Sequence, residues 1–295
     1  MRLQRNLRQR AAVIDGIRGF FRERDFIEVE TPVRVPSIAP EVYIEPLESG
    51  DWFLATSPEL HMKRLLAAGY ERIFQLSRCF RRGERGRLHN PEFTMLEWYR
   101  ADADYQDIIS DAEDLVRAVT GSAILSYQGT DIDITSPWPR ITVRDAYLHN
   151  AGWDPVASYN DERFDTDFLE KVQPSFAANR PTVMADYPAE AAALARIKPE
   201  NERVAERAEV FIGGLELANI YSELVDRTEQ EQRFRADIET IRKERKAPPI
   251  SVEFMNALDH LPECGGAALG VDRLVMLLCD AASIDEVMAF TVDTA

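Results

Sequence analysis

"RIFQLSRCFRRGERGRLHNPEFTMLEWYR", residues 72–100, holds two strand-like runs joined by a charged loop. From Phe93 onward the second run alternates, and the side chains of a strand point to opposite faces in turn. Thr94, Leu96 and Trp98 make one set, ordinary material for a sheet core. Phe93, Met95, Glu97 and Tyr99 make the other, with a carboxylate in the middle. One surface therefore carries a flat ring, an acid and a phenol. Such a face is suited to a ligand: a ring for a nucleobase, and an acid with a phenol for an ammonium group.

The loop between the runs crowds Arg78, Arg81, Arg82, Arg85 and Arg87 together, with only Glu84 among them. A solvated hairpin tip carries such a run equally well. Here, however, it leads straight into the acid-and-aromatic face, and guanidinium forks match phosphate or carboxylate oxygens.

Outward from this stretch, Val13, Ile17, Phe20 and Phe21 recur at helical spacing. That helix should stop near "ERDFIEVETPV", where Val29, Thr31 and Val33 are strand-like and Pro32 forbids further helix. "WFLATSPELHMKRLLAAGY" reads as a strand and then a helix, with Ser57 as N-cap, Pro58 in the first turn and Glu59 adding favourable negative charge. Residues 104–120 are helical in pattern. Residues 121–200 are expected to form a helical insertion with loops. "AEVFIGGLELANIYSEL" reads as a hairpin turning at Gly213-Gly214. "RTEQEQRFRADIETIRKERKA" is a charged helix, and "GGAALGVDRLVMLLCD" runs from a small-residue strand into a helix. Non-adjacent strands with helices between and around them predict an α+β fold on a mostly antiparallel sheet, in one domain spanning 1–295.

Composition limits the function. Of 295 residues, 45% are hydrophobic, enough for a substantial core, and the formal net charge is −16. That balance disfavours gripping a long nucleic-acid backbone, so tRNA is an unfavourable partner, while a local basic pocket for a few phosphates stays possible. The three cysteines, Cys79, Cys264 and Cys279, lack metal-ligand spacing and read as reduced thiols. No signal-peptide pattern or membrane-length apolar run is present, so a cytoplasmic protein is expected. The basic start "MRLQRNLRQR" reads as a solvated helix face.

With a two-residue turn at 213 and 214, Phe211 should pair with Glu216, and Glu209 with Ala218. Glu209 and Glu216 then lie diagonally on one sheet face. They repel unless a cation or a protein base sits between them, so a Mg²⁺ site is one reading and two solvated acids the other. Glu223 has the opposite parity and joins Glu216 only through a β-bulge. In "GGAALGVDR" small residues let the backbone approach a ligand or, equally, pack a helix tightly.

In order, these pieces resemble class II aminoacyl-tRNA synthetases of the lysyl type. "FIEVETPV" is similar to motif 1, whose proline, here Pro32, belongs to a dimer interface. "FRRGERGRLHNPEF" resembles motif 2 and "GAALGVDR" motif 3, while "TSPELHMKRL", "HNPEFTMLEWY" and "ELANIYSEL" resemble lysyl-specific segments. The likeness runs from about residue 12 to the end of the chain and is weakest over 121–200. Because motif 1 begins within the first thirty residues, no anticodon-binding barrel is expected. That pattern is similar to the truncated paralogues that attach lysine or (R)-β-lysine to a lysine of elongation factor P.

The resemblance implies ATP and Mg²⁺ as cofactors, a homodimer, and a role for each matching residue. Arg81 and Arg273 would be catalytic, holding the α- and γ-phosphates. Arg82, Gly83, Glu84, His89, Asn90, Phe93, Glu216, Leu217 and Gly270 would complete the ATP site, with Phe93 stacked on adenine. Glu97, Tyr99 and Glu223 would surround the distal ammonium of a lysine-like substrate. Ser57, Pro58 and Glu59 would meet its other amino group, with Asn219 and Ala268 alongside. Glu209 and Glu216 would hold Mg²⁺.

Three departures matter. Gly83 stands where motif 2 has an acid, leaving Glu84 or backbone groups to meet adenine. Ala268 stands where the tRNA-charging enzymes have glycine, adding a methyl that would favour a β-amino acid. Ile220 replaces a glycine suited to the bulge at Glu223, and predicts a reshaped pocket. Two other functions stay open: tRNA aminoacylation, and a non-catalytic amino-acid sensor.

Overall fold

The computed structural model describes residues 2–295. Helix α1 (Arg2–Arg22) buries Val13, Ile17, Phe20 and Phe21 along one stripe, each side chain contributing roughly 1.5–3 kcal/mol on leaving water. Phe21 stacks on Phe74 with ring centroids 4.7 Å apart. After the helix the backbone folds back, Phe26 N–H donating to Phe21 O at 3.1 Å. The strand expected over 29–33 is only β1 (Ile27–Glu28), two residues earlier. Val29 N–H still donates to Phe74 O, but Pro32 has no N–H to continue the ladder.

Strands β2 (Arg34–Val35), β3 (Glu48–Ser49) and β4 (Trp52–Leu54) form a small separate sheet. Helix α2 (Glu59–Ala67) is capped by Pro58 rather than Ser57. The Ser57 hydroxyl nonetheless accepts from Glu59 N–H at 3.0 Å. Strands β5 (Arg72–Phe80) and β6 (Glu92–Ala101) pair antiparallel throughout, as the opening stretch predicts. Helix α3 (Tyr105–Thr120) starts at a reciprocal cap between Asp104 and Asp107.

The segment 121–200 is helical only in part, with short helical turns over 168–175 and 189–191 besides its regular elements. It holds the hairpin β7 (Ile124–Tyr127) and β8 (Thr130–Asp133), then β9 (Arg140–Thr142), α4 (Val143–Asn150), α5 (Asp161–Asp167), β10 (Thr182–Pro188) and β11 (Ile197–Lys198). β9 and β10 extend the main sheet. Strands of two to seven residues separated by short helices and irregular chain leave too short an alternation to read.

Strands β12 (Asn201–Ile212) and β13 (Leu215–Ser222) form the expected hairpin. Helices α6 (Arg227–Ile241) and α7 (Val252–Leu258) follow, then β14 (Cys264–Gly270) and α8 (Val271–Leu278). The main sheet runs β1-β5-β6-β14-β13-β12-β10-β9, with β11 beside β12. Only the β1–β5 and β9–β10 pairs are parallel, so the antiparallel α+β class holds. Helices α1, α3 and α8 pack on one sheet face, burying Leu96, Trp98, Ile220 and Leu269. The opposite face is left as the floor of a cavity.

Both turn glycines have positive φ, +58° for Gly213 and +78° for Gly214. A Cβ on Gly213 would stand 2.8 Å from the Tyr127 ring, whereas one on Gly214 would meet nothing within 4 Å. Gly213→Ala should therefore cost about 2 kcal/mol or more, and Gly214→Ala about 1 kcal/mol, in urea unfolding. Equal losses would mean that the Tyr127 contact is irrelevant.

Candidate active site

The cavity has a volume of about 810 Å³. Its floor comes from β6, β14, β13 and β12, and its wall includes α2 and the loop 39–44. Phe93, Met95, Glu97 and Tyr99 all face it, as the alternation requires. Glu97 is buried and held by two neutral donors, Ser57 Oγ at 2.6 Å and Tyr99 OH at 2.8 Å. Burial pushes its carboxyl up to about 8, the nearby Glu59 and Glu223 adding to the rise against those hydrogen bonds.

Glu223 joins this group because of a bulge. Phe211 pairs with Glu216 as expected, but Glu209 pairs with Asn219 rather than Ala218. The register shifts between Val210 and Phe211, so β13 carries one extra residue there and everything after it changes face. Asn219, Tyr221 and Glu223 consequently line the cavity beside Glu216. Ile220 does not reshape the pocket. It pairs regularly with Ala208 and Ala267 and is fully buried on the helix-covered face. The bulge lies N-terminal to it.

Gly266 opens the space for Glu223. A Cβ there would lie 2.4 Å from both Glu223 Oε1 and the Tyr99 ring. Ala268, two residues on, pairs with Glu97 on one side and Asn219 on the other, and lines the cavity between them.

Lys63 was not among the expected residues. Its ammonium is buried and lies 2.6 Å from Glu59 Oε1 and 2.5 Å from Glu223 Oε2. Burial works against its charge, but Glu223 and Glu59 more than reverse this and hold its pKa above the ordinary value. The i, i+4 spacing of Glu59 and Lys63 was legible as a pair, though as an exposed one.

At the other end of the cavity, Arg81 lies over the Phe93 ring, 5.1 Å from its centroid, and 3.8 Å from Glu84 Oε1. Glu84 lines the cavity at this end. Arg273 Nη1 donates to Glu216 O at 2.8 Å, and Arg273 Nη2 is 2.6 Å from His89 Nε2. Burial and then the Arg273 charge lower the His89 pKa, which suits a neutral ring accepting from Arg273. Leu217 and Gly270 line the cavity as well.

Several expected residues stand apart. Arg82 pairs with Glu45 at 3.0 Å, and neither it, Gly83 nor Pro58 lines the cavity. Arg85 pairs with Asp285 and Asp293, and Arg87 donates to Ala282 O. Of the five loop arginines only Arg81 faces the cavity. Asn90 borders it, but its amide donates to Glu92 O at 2.7 Å and accepts from Val292 N–H at 3.1 Å, tying the loop to the chain end.

A protein base pairs with Glu209, and an amide links it on to Glu216. Arg207 Nη2 is 2.6 Å from Glu209 Oε1 and 3.1 Å from Asn219 Oδ1, and Asn219 Nδ2 donates to Glu216 Oε1 at 2.8 Å. Burial raises the Glu209 pKa, with Arg207 opposing it. Strand parity places Arg207 on the face of Glu209, a signal available in the sequence. Among the described residues no group of three or more His, Cys, Asp or Glu is arranged to hold a metal ion. Two carboxylates alone still fit Mg²⁺, which keeps water and substrate phosphates as its remaining ligands.

The profile of tRNA synthetases class II (D, K and N) matches residues 1–294. A protein of Pectobacterium carotovorum named elongation factor P–(R)-β-lysine ligase is 41% identical over 98% of this chain and 96% of its own length. Proteins of the same name from Klebsiella pneumoniae and Salmonella typhi are 43% and 41% identical over the same shares.

The raised Glu97 pKa carries a sign. Between the unfolded value near 4.5 and the folded value of about 8, the empty folded protein keeps a proton that the unfolded chain has lost. The contribution of Glu97 to stability should therefore be full below pH 4.5 and be lost as the pH rises to 8, by up to a few kcal/mol. Glu97→Gln should flatten that slope in urea titrations without amino acid. An unchanged slope would place the titration elsewhere.

Proposed function

The chain belongs to the class II tRNA synthetase family (D, K and N), and on that premise we propose that it activates (R)-β-lysine or lysine with ATP and transfers it to a lysine of elongation factor P. The observation that carries this reading is the amine-binding end of the cavity, where Glu59 and Glu223 share Lys63 and the buried Glu97 beside them has only the hydroxyls of Ser57 and Tyr99. The names of the relatives support the acceptor and the β-amino acid.

In the first step the substrate carboxylate attacks the α-phosphorus of ATP, and the bond to the pyrophosphate oxygen breaks. Arg81 and Arg273 neutralise charge on the phosphates, while Phe93 offers its ring to adenine. Glu209 and Glu216 would hold Mg²⁺, which when bound would neutralise charge on the phosphates. Positioning and charge neutralisation supply the catalysis. In the second step the ε-amine of the acceptor lysine attacks the acyl carbon, AMP leaves, and the amine loses a proton as the amide forms. No thioester is needed. The three cysteines are buried, and burial pushes Cys79 and Cys264 up to about 12.

The methyl of Ala268, set between Glu97 and Asn219, supports a β-amino acid by crowding the place of an α-amino group. We read the chain as one catalytic domain working in the cytoplasm as a homodimer. Ile27 and Val33, exposed on either side of Pro32, support the dimer. Among the described residues no helix is long and apolar enough to cross a membrane. The rival reading, tRNA charging, finds no support in a net charge of −16.

Amino-acid-dependent ATP–pyrophosphate exchange tests the proposal. Exchange should be strongest with (R)-β-lysine, and Arg81→Ala or Arg273→Ala should reduce it by about 10²–10³-fold. Absence of exchange with any lysine isomer would reject it. Ala268→Gly should shift the kcat/KM ratio toward α-lysine by roughly tenfold or more. An unchanged ratio would remove Ala268 from the specificity argument.

A further inference from the structure

Lys63 is buried to 1% exposure at the back of the amine pocket, on α2, and among the described residues its carboxylate partners are Glu59 and Glu223. Its contacts reach one oxygen of each. The second Glu223 oxygen lies against Gly266, and the backbone at Glu223 is fixed by its N–H donating to Cys264 O at 2.9 Å, so Lys63 is the one charged partner of this side chain among the described residues. Glu97 differs: its partners Ser57 and Tyr99 are neutral hydroxyls that bring no charge.

The ionisable groups surrounding the cluster are Tyr99 and Tyr221 on the floor, Cys79 and Cys264 in neighbouring strands, Glu41 on the loop 39–44, and Arg196. Burial holds the tyrosines and cysteines above their ordinary values, hence neutral. No second buried lysine or arginine ammonium or guanidinium contacts Glu59, Glu97 or Glu223 among the described residues.

We propose that Lys63 is a positioning residue for the amino-acid substrate. Its ammonium opposes the protonation that burial favours at Glu223, so that Glu59, Lys63 and Glu223 together keep one negative charge, which with Glu97 freed of its proton matches a substrate bearing two ammonium groups. Without Lys63 the two carboxylates would face each other and share a proton, and that proton competes with the incoming amine. The inference rests on the amino-acid-activating reading of the cavity and adds the residue that fixes its charge.

The test is ATP–pyrophosphate exchange from pH 6 to 9 with (R)-β-lysine and α-lysine, comparing wild type, Lys63→Met and Lys63→Arg. Lys63→Met should raise the amino-acid KM about tenfold at pH 7, equivalent to one pKa unit of lost discrimination. The loss should be larger at pH 6 than at pH 9, with the ATP KM within about twofold of wild type. Lys63→Arg should recover most of the loss. An unchanged amino-acid KM, a loss equal for ATP, or a loss flat in pH would each overturn the inference while leaving the activation reading intact. Wild type without lysine-dependent exchange would overturn the reading itself. Should Lys63→Met fail to fold, calorimetry of wild type in buffers of different ionisation heat decides. About one proton released on (R)-β-lysine binding at pH 7 supports a locked pair. Two or more protons released show that the pair titrates, and overturn it.

Discussion

A carboxylate taken out of water must find a partner or take up a proton, and this cavity buries several of them together. Glu59, Glu97 and Glu223 meet at one end with Lys63 as their single protein cation. Glu209 and Glu216 meet further along the floor and are bridged by Arg207 and Asn219. The first group holds more carboxylates than protein cations. The second is compensated by an arginine in a place that suits a divalent cation. Much of the chemistry inferred for the chain follows from that difference in unmatched charge along one surface.

The sheet makes the arrangement possible because its two faces are assigned to different tasks. Helices α1, α3 and α8 cover one face with apolar packing, so the acids can be concentrated on the other without weakening the core. The two tasks are joined through Asp272. One of its oxygens accepts from Thr94 N–H at 2.8 Å, and the other is 2.5 Å from Arg10 on α1. This ties the start of α8 to β6 and to α1, and so sets Arg273 against the strand carrying Phe93 and Glu97. The shift at Val210–Phe211 completes the floor by turning Glu223 inward without a glycine at position 220.

Much of the site was legible in residue order. Period-two alternation placed Phe93, Glu97 and Tyr99 together, and the Gly-Gly turn placed Phe211 opposite Glu216. The same alternation would have put Arg207 beside Glu209. The two-residue shortness of β1, the main-sheet strands β9 and β10 within 121–200, and the diversion of Arg82 and Arg85 to ion pairs and of Arg87 to a backbone carbonyl were not legible. Short strands carry too little periodicity, and a run of arginines looks alike whether its members face a cavity or solvent.

Residue types and spacing alone determined the antiparallel α+β class, the two faces of the central strand, the likeness to lysyl-type class II synthetases and several of the side chains around the cavity. These depend on local patterns that survive any arrangement in space. Only the tertiary structure decided that Glu59 and Lys63 form a buried bridge rather than a surface pair, that Glu223 reaches the floor through a shifted register, and that Ile220 packs harmlessly into the core. Each of those depends on which groups lose water together, and burial is a property of the assembled layers rather than of any segment.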